Sequence, residues 1–139
     1  MKKLNIKFIY NFIYGTVFEY YKKLWGNNKD IVPLNVTIGL SFSLIAFISS
    51  IFLIIHLIFD LEAILFLESK LYSIILVVAV FGIHFFLFEY KSKYKTVLKW
   101  YRSQSIFDKN KKKYFVYLYI FGSILLFFIL LFIEIIKIK

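Results

Sequence analysis

Apolar residues fall into three long runs, preceded by one striped segment. In the striped segment, residues 2–25, Lys3, Lys7, Asn11, Gly15 and Lys22 fall near one side at helical spacing. Leu4, Phe8, Ile9, Phe12, Ile13, Val17, Tyr20, Tyr21 and Leu24 occupy most of the rest. A 3.6-residue period with a basic stripe predicts an amphipathic helix that lies in the headgroup region or packs on the chain's own spans. The composition of Gly26-Asn27-Asn28-Lys29-Asp30 predicts a turn. Pro33, the single proline, suits the first turn of the next helix.

The three runs predict spans at 34–59, 71–88 and 114–133. The first, at ~1.5 Å per residue, reaches ~39 Å against a ~30 Å hydrocarbon core, so it tilts or its ends stand in the interface. It carries Gly39, Ser43, Ala46 and Ser50 at spacings of four, three and four. Such a small-residue face lets another helix approach closely, and Ala79 and Gly82 make a smaller patch on the second span. The third span is almost wholly aromatic and aliphatic and reads as lipid-facing. Beyond Glu89 the pattern continues: Tyr90, Tyr94, Val97 and Tyr101 share one side, and Lys91, Lys95 and Arg102 the other. The second span is therefore expected to run on as one amphipathic helix to about Ser105, with the turn at Asp108-Lys109-Asn110. Both sides are the expected contacts for a partner or for lipid headgroups, the tyrosine side foremost for a partner.

The fold class is thus an all-α integral membrane protein: three transmembrane helices after an amphipathic segment at 1–33, the second span extended into the cytoplasm. Composition agrees. The hydrophobic fraction is 61%, above the ~45–50% of soluble domains, and the mean hydropathy is +0.77. No continuous apolar leader with a small-residue cleavage site is visible. The net charge is +10 and sits beside the spans. Residues 1–33 hold six lysines, 89–113 hold nine Lys and Arg, 60–70 hold one and the tail two. The positive-inside rule places the N-terminus and 89–113 in the cytoplasm and the C-terminus outside.

Candidate chemistry is sparse. There is no cysteine, no histidine-based metal motif and no Gly-rich phosphate loop. No GxSxG is present, so no enzyme, cofactor or metal site is expected. His56 and Asp60 share a helix face, and Glu134 ends at a similar depth. A cluster of the three at the outer end would bind a cation or sense pH, although charges at helix ends often do nothing specific. His56 and His84 lie at different depths in an antiparallel pair. His84 is expected to be a neutral imidazole bonded to a neighbouring helix. Aromatics between the basic residues of 89–113 would suit single-stranded nucleic acid, but beside spans they are better explained by anionic headgroups.

The richness in Lys, Ile, Phe and Asn resembles that of small bacterial membrane proteins, a likeness of composition that transfers no residues. The expected partners are membrane lipids, including anionic headgroups, with a homo-oligomer or another membrane protein. The expected role is non-enzymatic, at the bacterial inner membrane through helix–helix association, of the toxin-immunity or defence-effector type. An accessory subunit of a larger complex and an oligomeric channel are the alternatives.

Overall fold

The computed structural model describes residues 6–26, 31–59 and 70–137, and every element in them is helical. The order is α1 (Ile6–Trp25), α2 (Ile31–Phe59), α3 (Lys70–His84), a π-helical turn (Phe85–Glu89), a 3-10 turn (Tyr90–Ser92), α4 (Tyr94–Ser103) and α5 (Ile106–Lys137). Three stretches are long and apolar enough to cross a membrane: α2 with 29 residues, Lys70–Ser92 with 23 and α5 with 32. At ~1.5 Å per residue even the shortest exceeds a ~30 Å hydrocarbon core.

α2 is the central element and packs most extensively on α5. Its buried positions include Val36, Leu40, Ser43, Ala46, Ser50 and Leu53, and those of α5 are Val116, Ser123, Leu130 and Glu134. The serines turn their hydroxyls inward: Ser43 donates to Gly39 O at 3.0 Å, Ser50 to Ala46 O at 2.8 Å, and Ser123 to Tyr119 O. A hydroxyl satisfied by its own helix leaves no unmet polar group at a close helix contact.

α1 is held among the other helices. Phe12 to Phe18 are seven consecutive buried residues. No helix on a flat surface buries all its sides, so this part is wrapped by the chain itself. α2 lies against it, and Tyr21 Oη comes within 3.2 Å of where a Cβ on Gly39 would stand. α4 closes another side. The Tyr101 ring sits on Gly15, where any Cβ would collide with it. Between the two placements that the striped pattern allows, residues 12–18 take the packed one.

Two expectations about the region after Glu89 need correction. The second span does not continue as one helix to Ser105. It breaks at Lys91 (φ 54°, ψ 29°) and Ser92 (φ 55°), two left-handed residues without a glycine between them. Such conformations cost roughly 1–2 kcal/mol each. Two local bonds brace the break: Lys93 Nζ donates to Phe86 O at 3.1 Å, and Lys93 N–H to Tyr90 O at 3.4 Å. It redirects α4 so that Val97, Leu98 and Tyr101 are buried in the same cluster as α1. The second correction concerns Asp108-Lys109-Asn110, which lies inside α5. The turn is at Gln104–Ser105, where Gln104 is extended. Ser105 Oγ accepts the Asp108 N–H at 3.1 Å and donates to the Asp108 carboxylate at 2.8 Å. This N-cap starts the helix before Asp108 and sets a carboxylate at its positive end.

Candidate functional site

A polar ladder joins α1, α2 and the end of the second span. Its residues come in pairs: Tyr10 and Tyr14 on α1, Thr37 and Ser41 on α2, His84 and Glu89 on the second span. On α1 and α2 a spacing of four puts both members on one face. Five residues would set His84 and Glu89 about 140° apart on an α-helix. The π-turn removes that offset. The Tyr90 N–H bonds to Phe85 O, closing a five-residue turn. Both side chains then reach toward α1 and α2.

The first rung is centred on His84, which is fully buried. Nδ1 lies 3.0 Å from Val80 O and 2.9 Å from Ser41 Oγ. A carbonyl only accepts, so Nδ1 carries the proton. Ser41 Oγ accepts from it while donating to Thr37 O at 2.8 Å. Nε2 is left as the acceptor of the Tyr10 hydroxyl at 2.9 Å. Every polar atom is thereby satisfied by a neutral imidazole in one tautomer. Ser41 and His84 touch but make no nucleophile–base pair, because the facing nitrogen already holds a proton.

The second rung is centred on Glu89. Oε1 accepts from Thr37 Oγ1 at 2.9 Å and from the Tyr14 hydroxyl at 3.3 Å. Phe88, buried between the rungs, stacks on Tyr14 with ring centroids 4.1 Å apart. Burial foremost, with the Glu89 carboxylate second, pushes the Tyr14 phenol well above its ordinary value. Burial and the Tyr119 hydroxyl do the same to Tyr10. Both phenols therefore remain donors across the physiological range.

The tyrosine side of α4 is also taken up within the chain. Tyr94 stacks on Phe18, with centroids 6.2 Å apart. Val97 and Tyr101 are buried, and Thr16 Oγ1 donates to Tyr101 Oη at 3.3 Å. The helix that this stripe meets is α1. Tyr90 stays exposed, with the Nζ of Lys91 5.3 Å from its ring centroid. Lys95 lies 6.0 Å over the Tyr94 ring. Arg102 Nε pairs with Glu19 Oε1 at 3.0 Å on the surface.

The small residues divide. Ser43, Ala46 and Ser50 are buried within the bundle, and Gly39 faces Tyr21. Ala79 is exposed, and a Cβ on Gly82 would meet nothing within 4 Å. At the far end of the bundle His56 Nε2 is 3.2 Å from Glu134 Oε1. The other carboxylate oxygen, Oε2, is buried without a hydrogen-bond partner among the described residues. Asp60, the third residue expected there, lies outside the described residues. Among the described residues no three His, Cys, Asp or Glu side chains gather as metal ligands.

The ladder as a unit has no marker in the sequence. Tyr10/Tyr14 and Thr37/Ser41 are visible as pairs four apart, but the π-turn that adds His84 and Glu89 has no sequence marker. No protein-family model, curated protein or solved structure matches the chain.

Proposed function

We propose that this chain is a non-enzymatic multi-pass protein of the bacterial inner membrane that works by associating with a helix of another membrane chain, of the toxin-immunity or defence-effector type. The observation that carries this reading is the open surface of α3. Ser43, Ala46 and Ser50 of α2 and Ser123 of α5 are already buried inside the fold, whereas Ala79 is exposed and a Cβ on Gly82 would meet nothing, on a helix suited to lipid. Small residues on a lipid-facing helix allow close backbone approach, which is how helices associate where lipid supplies no hydrophobic drive. The satisfied ladder supports a structural role, since it fixes α1 and leaves no activated group.

The N-terminus and residues 89–113 are placed in the cytoplasm and the C-terminus outside, by the excess of Lys and Arg. Their clustering supports this: Glu19 meets Arg102, and Lys112 Nζ lies 5.1 Å over the Phe8 ring, so both basic regions share one end of the bundle.

Gly82→Leu tests the association. The new side chain enters open space, so the fold stays intact while close approach is blocked. Complex size in mild detergent should fall to the monomer. An overexpression phenotype, either membrane depolarisation or protection from a cognate toxin, should be lost with it. An unchanged complex and phenotype would remove the reading. A second reading, an accessory subunit, is favoured by the exposed Lys95, Lys99 and Lys111. It requires a stoichiometric companion on purification, and a lone monodisperse species would exclude it.

A further inference from the structure

The first two turns of α5 leave an apolar pair on the open surface. Ile106, Phe107 and Tyr114 are each 77% exposed, and Lys111 is exposed among them. Phe107, Lys111 and Tyr114 follow at spacings of four and three, so they share one side of the helix. Lys109, Lys111, Lys112 and Lys113 keep their stretch out of hydrocarbon, so the apolar part of α5 begins at Tyr114. From there back to Phe107 is ~10 Å, and to Ile106 ~12 Å, at ~1.5 Å per residue. The headgroup region adds only ~5–7 Å on each side of the core. Even a tilt of ~40° leaves Phe107 ~8 Å and Ile106 ~9 Å beyond the hydrocarbon. Their side chains lean toward the helix start, which carries them further out. Two large apolar groups thus stand in water, past the reach of lipid.

We infer that this face docks an acidic amphipathic segment of a second protein, its apolar side on Ile106 and Phe107 and a carboxylate on Lys111. The charge around the pair selects such a partner. Asp108, the one carboxylate of these turns, is bonded to Ser105. Lys109 Nζ donates to Arg102 O at 3.1 Å, and Lys112 lies over the Phe8 ring. Lys111 pairs with no carboxylate among the described residues. A second copy of this chain would bring like charge to the same place, and Ile106 offers no π-face to a nucleobase. Exposed apolar groups rimmed by polar ones mark surfaces that partner proteins bury. The inference rests on the membrane placement of α5 and not on the association at Gly82.

The test places the full chain in phosphatidylcholine nanodiscs. The probe is a labelled synthetic peptide with leucine along one side of its helix and glutamate along the other. Its fluorescence anisotropy should rise saturably with loaded discs and not with empty ones. Phe107→Ala and Lys111→Gln should each weaken binding about tenfold, the equivalent of ~1.4 kcal/mol. Phe121→Ala and Lys137→Gln, equal losses elsewhere on α5, should leave it unchanged, as should Gly82→Leu. No binding, or equal binding of a peptide with the same residues in scrambled order, would overturn the proposal. A second measurement tests lipid as the occupant. Phe107→Trp, in a chain with Trp25→Phe and Trp100→Phe, should be quenched by acrylamide and not by brominated phosphatidylcholine. Quenching by the brominated lipid would put the face on the bilayer and end the proposal. If the chain without Trp100 does not fold, by loss of its circular dichroism, the peptide series still decides.

Discussion

His84 and Glu89 face the same two helices although they are five positions apart, because the turn between them is π-helical. One turn of irregular backbone thus lets a single span hold α1 twice, through Tyr10 and Tyr14, and α2 twice, through Ser41 and Thr37. The ladder fixes a short aromatic helix in a bundle where burial alone would not set its register.

The Tyr14–Glu89 contact should be energetically coupled. Tyr14→Phe removes the donor, and Glu89→Ala removes the acceptor. Each should cost about 1–3 kcal/mol, since a buried group loses its partner. The double variant should cost less than the sum. Unfolding in detergent, read as a double-mutant cycle, measures the difference; strict additivity would mean the contact contributes nothing.

His84→Leu should destabilise more than Tyr10→Phe. The first removes the shared partner of Tyr10, Ser41 and the Val80 carbonyl, whereas the second leaves the imidazole bonded to Ser41 and Val80 and takes a hydroxyl only from Nε2 and from Tyr119. A cost of about 1–3 kcal/mol per orphaned group is expected. Thermal melting of both variants in one detergent gives the order, and equal melting points would speak against a central His84.

Alkaline pH should loosen α1. The Tyr14 phenol titrates higher in the folded chain than in the unfolded one, chiefly through burial. A raised value means its contribution is fully present below the unfolded phenol value of ~10 and is lost as pH rises beyond it. Stability should therefore decline above about pH 10, and Tyr14→Phe should flatten part of that decline. A Tyr14→Phe profile parallel to wild type would exclude Tyr14 as a source.

Gly15→Ala should separate α1 from α4, because the new methyl would collide with the Tyr101 ring. Gly39→Ala should be milder, since its nearest neighbour is the far end of Tyr21, which is able to shift. Limited proteolysis at the exposed end of α1 should accelerate in the first variant well beyond the second. The reverse order would contradict the packing described.

Long-range apolar pattern was enough to locate the three membrane-length helices, since each run had only to be long and nearly free of charge. The local features were harder to read. Ser105-x-x-Asp108 is a legible N-cap signature that a turn-forming Asp-Lys-Asn had overshadowed. The break at Lys91–Ser92 was not legible, because it uses neither glycine nor proline and is braced by a lysine ammonium on the Phe86 carbonyl. The tyrosine stripe was visible as a face, but nothing in its spacing says that it meets Phe18 and Gly15 of the same chain. His84 was legible as a satisfied histidine, whereas its partners depend on the tertiary fold.

The central claim is that α1 belongs to the membrane bundle and is held there by the ladder. Hydrogen exchange across residues 12–18, in wild type and in Glu89→Ala, tests it most directly. Wild-type amides should be strongly protected, and Glu89→Ala should speed their exchange roughly fivefold to a hundredfold, as a loss of about 1–3 kcal/mol implies. Exchange of α1 that is the same in both proteins would show that the ladder does not hold it.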